Sequence, residues 1–346
     1  MSEISIKLAA GTNVGLVRKN NEDNFVVNRD LCQSEWIIPQ SIEPISLGRY
    51  GSILVVADGM GGTNAGEVAS AIAIETVQNA FTPENLGDIV TQEGIVTSEE
   101  AVEEFLSRTV KTADLNIVNA SKEDSSTQGM GTTIVIAWIL NDKAYICWCG
   151  DSRCYVFNGN SGFCRLSKDH SYVQDLVDQG KLDPENAFDH PYSNIITRCL
   201  GDPTNRSYNL KDGDTLLLCS DGLCGLCHDE EIMQIIEENQ DDLMTCKDRL
   251  IEAALEAGGY DNITIVLCHI MLQDTEPKVK LNNTVFSKPN HHKIRKILLL
   301  LLVLALAAGF YLYRNPQQYA KWKTILYQAD TVLVTETDTT NTTLTD

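Results

Sequence analysis

Residues 52–62 read SILVVADGMGG, a β-branched apolar run that closes on Asp58 and breaks at once into a glycine-rich turn. The run over 52–57 is apolar at consecutive positions instead of alternate ones, which suits a strand buried between two layers. A carboxylate at the end of such a strand is costly unless something compensates it. The pattern recurs outward from this stretch. TLLLCSD ends in Asp221 before Gly222, YICWCG leads into Asp151, and Asp261 with Asn262 opens the run ITIVLCH. One Asp-Gly pair is most simply a turn. Four strand-end aspartates with glycine beside or near them are better explained by convergence on a hard divalent cation.

Strands are expected at 52–57, 132–140, 143–149, 153–157, 215–219 and 262–269, and helical periodicity fits 66–80, 98–120, 172–179, 230–239 and 242–257. The longer helical stretches separate runs of strands and do not alternate strictly with them. That order favours a layered α+β sandwich over a doubly wound parallel sheet.

The chain has 346 residues with 48 acids against 27 bases, a formal charge of −21. Nine bases and six acids fall in 274–346, so residues 1–273 carry −24. Nucleic-acid affinity comes mainly from neutralised phosphates, so a chain this acidic, with no long Lys/Arg run, excludes that partner. Eleven cysteines are an odd number, and the N-terminal MSEISIKL lacks an apolar signal segment, so free thiols in a reducing cytosol are expected. Cys224 and Cys227 have CxxC spacing and Cys147 and Cys149 lie two apart, yet no further pair completes a tetrahedral zinc set.

A second cluster stands at 15–25, GLVRKNNEDNF, where Arg18 offers a planar fork suited to phosphate oxygens and Glu22 and Asp23 add two acids. Oxygen ligands without histidine favour Mg²⁺ or Mn²⁺ over zinc. With these residues assembled, the chain resembles the metal-dependent protein Ser/Thr phosphatases, the PPM or type 2C family, in its bacterial form. The segments that carry the resemblance run in family order over about residues 5–270: RKNNEDN, VVADGMGG, GMGTT, CGDSRCY, LSKDHS, HPYSNIITRCLG, CSDGL and YDNIT.

The resemblance implies a four-layer αββα sandwich with a binuclear Mn²⁺ or Mg²⁺ centre at one end of the sheets, and a third, weaker ion. By motif position Asp58 would bridge the two ions and the Gly59 carbonyl would serve one of them. Asp221 and Asp261 would complete the other. Glu22 would act directly or through water, and Asp23 would orient the set. Asp151 with Asp221 would serve the third ion, and Arg18 would hold the substrate phosphate. The implied activity is hydrolysis of phosphoserine and phosphothreonine on proteins, opposing a Ser/Thr kinase. Met60 stands where some members carry a proton-donating histidine, so the leaving oxygen would be protonated by another acid or by water on the metals. The alternative is a non-catalytic phosphoprotein-binding member of the fold. Loss of Asp58, Asp221 or Asp261 would favour it, and all three are present. Residues 170–198 resemble the family's flap, and 31–49 form a second candidate recognition loop.

The segment 297–313, ILLLLLVLALAAGFYLY, has seventeen residues without a charge and no amphipathic period. At about 1.5 Å per residue it reaches the short end of what spans a bilayer core, with Lys296 and Arg314 able to extend it. The sequence thus predicts a catalytic domain at 1–273, a basic juxtamembrane linker at 274–296, a single transmembrane helix at 297–313 and a Thr-rich tail at 314–346. Lys288, Lys293, Arg295 and Lys296 crowd the N-terminal flank, which places the domain in the cytoplasm and the tail outside.

Overall fold

The computed structural model describes residues 3–33, 35–36, 43–61 and 65–273, which belong to the unit Met1–Glu276. The expected linker, transmembrane helix and tail lie outside the described residues. Among the described residues no helix is long and apolar enough to cross a membrane.

Twelve strands are described: β1 (Glu3–Asn13), β2 (Asp23–Asn28), β3 (Ile45–Ser46), β4 (Ser52–Met60), β5 (Gly131–Thr132), β6 (Ile134–Leu140), β7 (Lys143–Cys149), β8 (Arg153–Asn158), β9 (Gly162–Arg165), β10 (Thr204–Asn209), β11 (Thr215–Cys219) and β12 (Ile263–Gln273). The helices are α1 (Ala65–Ala80), α2 (Pro83–Leu86), α3 (Glu99–Glu123), α4 (Tyr172–Asp178), α5 (Asp221–Cys224), α6 (Asp229–Glu238) and α7 (Leu243–Glu256). One sheet runs β3-β1-β12-β11-β8-β9 and the other β10-β7-β6-β4-β2, with β5 paired to the end of β4. Neighbouring strands are antiparallel throughout.

Three apolar layers explain why the strand runs are continuous. Side chains alternate across a strand, and in β4 Ile53, Val55 and Ala57 face α1 and α3 while Leu54 and Val56 face the other sheet. β6 divides likewise, Ile134, Ile136 and Trp138 against Val135, Ala137 and Ile139. In the facing sheet Leu216 and Leu218 point between the sheets, whereas Leu217 and Cys219 meet Ile232, Ile236 and Leu250 of α6 and α7. Both faces of the central strands of each sheet are therefore dry, and the layers are helix, sheet, sheet, helix. The outer helical layer on β6 is anchored by Trp138, whose indole donates to the Tyr50 carbonyl at 2.8 Å and meets Phe81 edge-on at 5.1 Å.

The predicted strands and helices occur within a few residues of their expected ends. Strand β4 runs past its expected end at 57 because Asp23 pairs opposite Asp58, and Gly59 and Met60 pair with Thr132 and Gly131. Strands β1, β2, β3, β9 and β10 were not among the expected strands. The last two lie at sheet edges with much of their surface in water, so neither carries an apolar pattern, whereas β1 carries one, with Ile4, Ile6 and Leu8 packed between the sheets.

Candidate active site

The ends of β2, β4, β11 and β12 and the turn between β7 and β8 come together at one edge of the sandwich. Asp23 opens β2 directly opposite Asp58 of β4, an arrangement in which the two side chains share a face and like charges repel. Asp221 begins α5 immediately after β11, Asp261 stands just before the partner strand β12, and Asp151 occupies the β7–β8 turn. The four aspartates picked out by their strand-end positions thus meet Asp23 and Glu22 of the N-terminal cluster in one acidic site.

Their electrostatics follow from burial and crowding. Asp58 is held far above the usual carboxylate range, first by burial and then by Asp23, Asp221 and Asp151. Burial also lifts Asp23 to about 8, although hydrogen bonds from Thr264 and Ser220 pull the other way. Asp221 rises to about 6 through burial and Asp261, eased by a hydrogen bond with Asp58 and by Arg18. Asp151 is pushed up by burial, then by Asp221 and Asp169. Glu22 is raised by burial and lowered by Arg18.

Neutral groups hold this set in place. Ser220 donates to Asp23 at 2.7 Å, and the Thr133 hydroxyl accepts from the Asp58 backbone N–H at 3.1 Å. Asn262 is the main tether: its amide donates to the carbonyls of Val14 and Asn20, at 3.0 Å each, and its oxygen accepts from the Glu22 N–H at 2.8 Å. The Arg18 guanidinium donates to Asp261 at 2.6 Å, and this bond is the chief reason its own pKa rises. Gly59 is required by close approach, since a Cβ there would stand 2.6 Å from the Glu22 carbonyl oxygen and 2.1 Å from that of Gly66.

Behind the site, Arg153 forks onto Asp169 at 2.7 and 2.9 Å and reaches the Tyr155 hydroxyl at 2.9 Å. His170 clamps the turn carrying Asp151: its backbone N–H donates to the Gly150 carbonyl at 2.9 Å, and its Nδ1 accepts from the Gly150 N–H at 3.2 Å. Ser220, Thr133 and Asn262 lie inside the quoted motifs CSDGL, GMGTT and YDNIT, but their tethering roles depend on partners up to 248 residues away and were missed. The flap is tied back where Thr197 N–H meets the His170 carbonyl at 2.8 Å and Tyr172 N–H meets that of Ile195 at 2.8 Å. Of the second candidate loop, 34 and 37–42 lie outside the described residues.

The donor set fits hard divalent cations. It is all oxygen, its negative charge exceeds what the Arg18 and Arg153 guanidiniums offset, and Asp221 Oδ1 is buried without a hydrogen-bond partner. As arranged, the acids pair with neighbours and with Arg18, and among the described residues no three His, Cys, Asp or Glu side chains stand in coordinating geometry about one point. All eleven cysteines are free. Cys224, near Asp221 in the chain, has its thiol raised by Cys219 and by burial, which suits a core residue and not a nucleophile.

Residues 44–256 match the family Protein phosphatase 2C. The chain belongs to this family. Serine/threonine phosphatase stp of Listeria monocytogenes serotype 4b is 34% identical to it over 263 residues, covering 74% of this chain and 92% of that protein. Protein phosphatase PhpP of Streptococcus pneumoniae serotype 2 is 32% identical over 272 residues, covering 77% and 98%. Among solved structures, a serine/threonine phosphatase of S. agalactiae superposes with TM-score 0.63 at 26% identity, covering 76% of this chain and 98% of that one. The catalytic domain of the phosphatase PstP, solved in complex with two manganese ions, superposes with TM-score 0.60 at 29% identity, covering 78% and 99%. The protein is a type 2C serine/threonine phosphatase, and the acidic site at the sheet ends is the candidate active site of this phosphatase.

Proposed function

We propose that this phosphatase uses two Mn²⁺ or Mg²⁺ ions, with a third bound more weakly, to hydrolyse phosphoserine and phosphothreonine on proteins. The observation that carries the reading is the crowding of buried carboxylates around the partnerless Asp221 Oδ1, with one guanidinium at the edge. Asp58, Asp221, Asp261 and the Gly59 carbonyl would hold the two ions, Glu22 would assist directly or through water, and Asp23 would orient the set. Asp151 with Asp221 would serve the third. When bound, such ions lower the pKa of water and neutralise phosphoryl charge during in-line displacement.

The chain's own residues do the rest. Arg18 is half exposed and one terminal nitrogen of its guanidinium already binds a carboxylate, so a substrate phosphate can take the place of Asp261 on it. Ser220 and Thr264 fix Asp23 from behind, and Asn262 holds the loop bearing Arg18 and Glu22 against β12. Met60 ends β4 and cannot donate a proton to the leaving oxygen.

The same proposal places the enzyme at a membrane through 297–313, with the catalytic domain cytoplasmic, the tail outside, and a Ser/Thr kinase as the opposing activity. The uncharged segment and its basic flank support this reading. The purified full chain with Mn²⁺ should release phosphate from an aryl phosphate and from a phosphothreonine peptide, and chelator should abolish both. Full activity in EDTA would overturn the metal reading. Protease added outside spheroplasts should trim only the tail; cleavage of the domain would invert the orientation.

A further inference from the structure

The most exposed of the large apolar side chains among the described residues are Leu16, at 67%, and Val17 and Tyr260, at 61% each. Exposed apolar residues scattered singly need no explanation, but these three are neighbours of the site. Leu16 and Val17 directly precede Arg18, Tyr260 directly precedes Asp261, and Arg18 and Asp261 are joined at 2.6 Å. Their two loops are locked together. Leu16 N–H donates to the Gly259 carbonyl at 2.7 Å, and Asn262 ties the loop at Val14, Asn20 and Glu22. Gly15, at φ +78°, lets the first loop run so close that a Cβ there would stand 2.2 Å from the Asp261 carbonyl oxygen. The backbone beneath these side chains is therefore fixed while the side chains themselves meet water. An apolar surface displayed on a preorganised loop binds with little ordering cost.

We infer that Leu16, Val17 and Tyr260 form a shelf for a bulky aliphatic or aromatic residue of the phosphoprotein substrate, one or two positions from the phosphoserine or phosphothreonine; this rests on the phosphatase reading above. Two observations select that occupant. Val17 and Leu16 lie one and two residues from Arg18, about 4–8 Å along the chain, and an extended substrate whose phosphate sits on Arg18 covers the same distance in one or two residues. The surroundings are also strongly acidic: residues 1–273 carry −24, with Glu22 and Asp261 at the rim. Acidic flanking residues are repelled there, and an apolar flank finds a complementary surface beside Arg18.

The test uses the full chain with Mn²⁺ and pairs of phosphothreonine peptides that differ only by leucine or serine at the positions flanking the phosphoresidue. The leucine peptide should be preferred roughly tenfold in kcat/KM, as partial burial of a leucine allows. Leu16→Ser with Tyr260→Ser should bring that ratio close to one and leave aryl phosphate hydrolysis within about twofold, whereas Leu16→Ile should keep the preference. Equal rates for the two peptides, or a preference that survives in the double variant, would overturn the shelf. So would a change in sedimentation in the double variant with peptide preference intact, which would make the patch a contact between copies. Failure of the wild-type chain to hydrolyse the aryl phosphate would bring down the phosphatase reading, and the shelf with it.

Discussion

At the floor of the acidic site Asp23 and Asp151 keep 9% and 8% of their surface, whereas at the rim the Asp261 side chain keeps 35% and is met by Arg18 at 2.6 Å. The floor carboxylates face hydroxyls, backbone and one another, and burial and mutual repulsion lift their pKa values. The rim carboxylate has a cation from the chain itself. The contrast shows where added positive charge counts. Solvent and Arg18 already compensate the rim, while at the floor Arg18 and Arg153 only partly offset what burial and crowding raise, so bound divalent cations would act chiefly on Asp58, Asp221 and Asp151.

The largest effect that would test this contrast is on activity. Asp58→Asn should lower kcat/KM for an aryl phosphate by roughly 100–1000-fold, the scale of losing one aimed electrostatic contact. Its melting temperature in chelator should be unchanged or higher, because the substitution removes a charge that Asp23, Asp221 and Asp151 oppose. A variant both inactive and clearly less stable in chelator would make Asp58 structural and break the comparison.

Next is the pH dependence of stability without divalent ions. Asp23 at about 8 and Asp221 at about 6 lie above the ordinary 3.8. Between those limits the folded chain binds more protons than the unfolded chain, so unfolding free energy falls as pH rises. Urea denaturation in EDTA should show stability dropping from pH 5 to pH 8, by at most about 1.4 kcal/mol per pH unit for each group. The drop should be shallower in Asp23→Asn and shallower with saturating Mn²⁺. Stability flat or rising over that range would show that the floor is not charge-crowded.

At the rim the effect should be smaller. Arg18→Lys keeps the charge and loses the fork, and kcat/KM for a phosphopeptide should fall roughly tenfold, mostly through KM. Smallest of all is Cys199→Ser. Cys199 is exposed, and its sulfur lies 3.7 Å from where a Cβ on Gly131 would stand, with Met60 Cε 3.8 Å from the same point. Activity within about twofold of wild type is expected there, as for ordinary surface changes; a large loss would mean that a thiol shares the chemistry assigned to the floor.

How much of this was legible in the chain can be judged residue by residue. SILVVAD and TLLLCSD announced doubly buried strands because both faces of β4 and β11 are dry, and unbroken apolar runs are what that environment demands. Edge strands such as β10, with the sequence TNRSYN, left no such trace, because water on one side removes the constraint. Asp58, Asp221 and Asp261 stood out because a carboxylate at either end of a buried run is anomalous in itself. Asn262 did not, although it holds the Arg18 loop, because its role is defined by Val14, Asn20 and Glu22 some 240 positions away.

The sequence by itself determined the layering, the acid set and the excess of negative charge, since each is a property of local composition and period. Only the tertiary structure decided which acids share a floor, that Arg18 rests on Asp261, and that the loops bearing the exposed Leu16, Val17 and Tyr260 are held together beside it. The physical reason is that pKa values and exposure depend on distance through space, and strand pairing joins β1 to β12 and β2 to β4 across separations that no local pattern records.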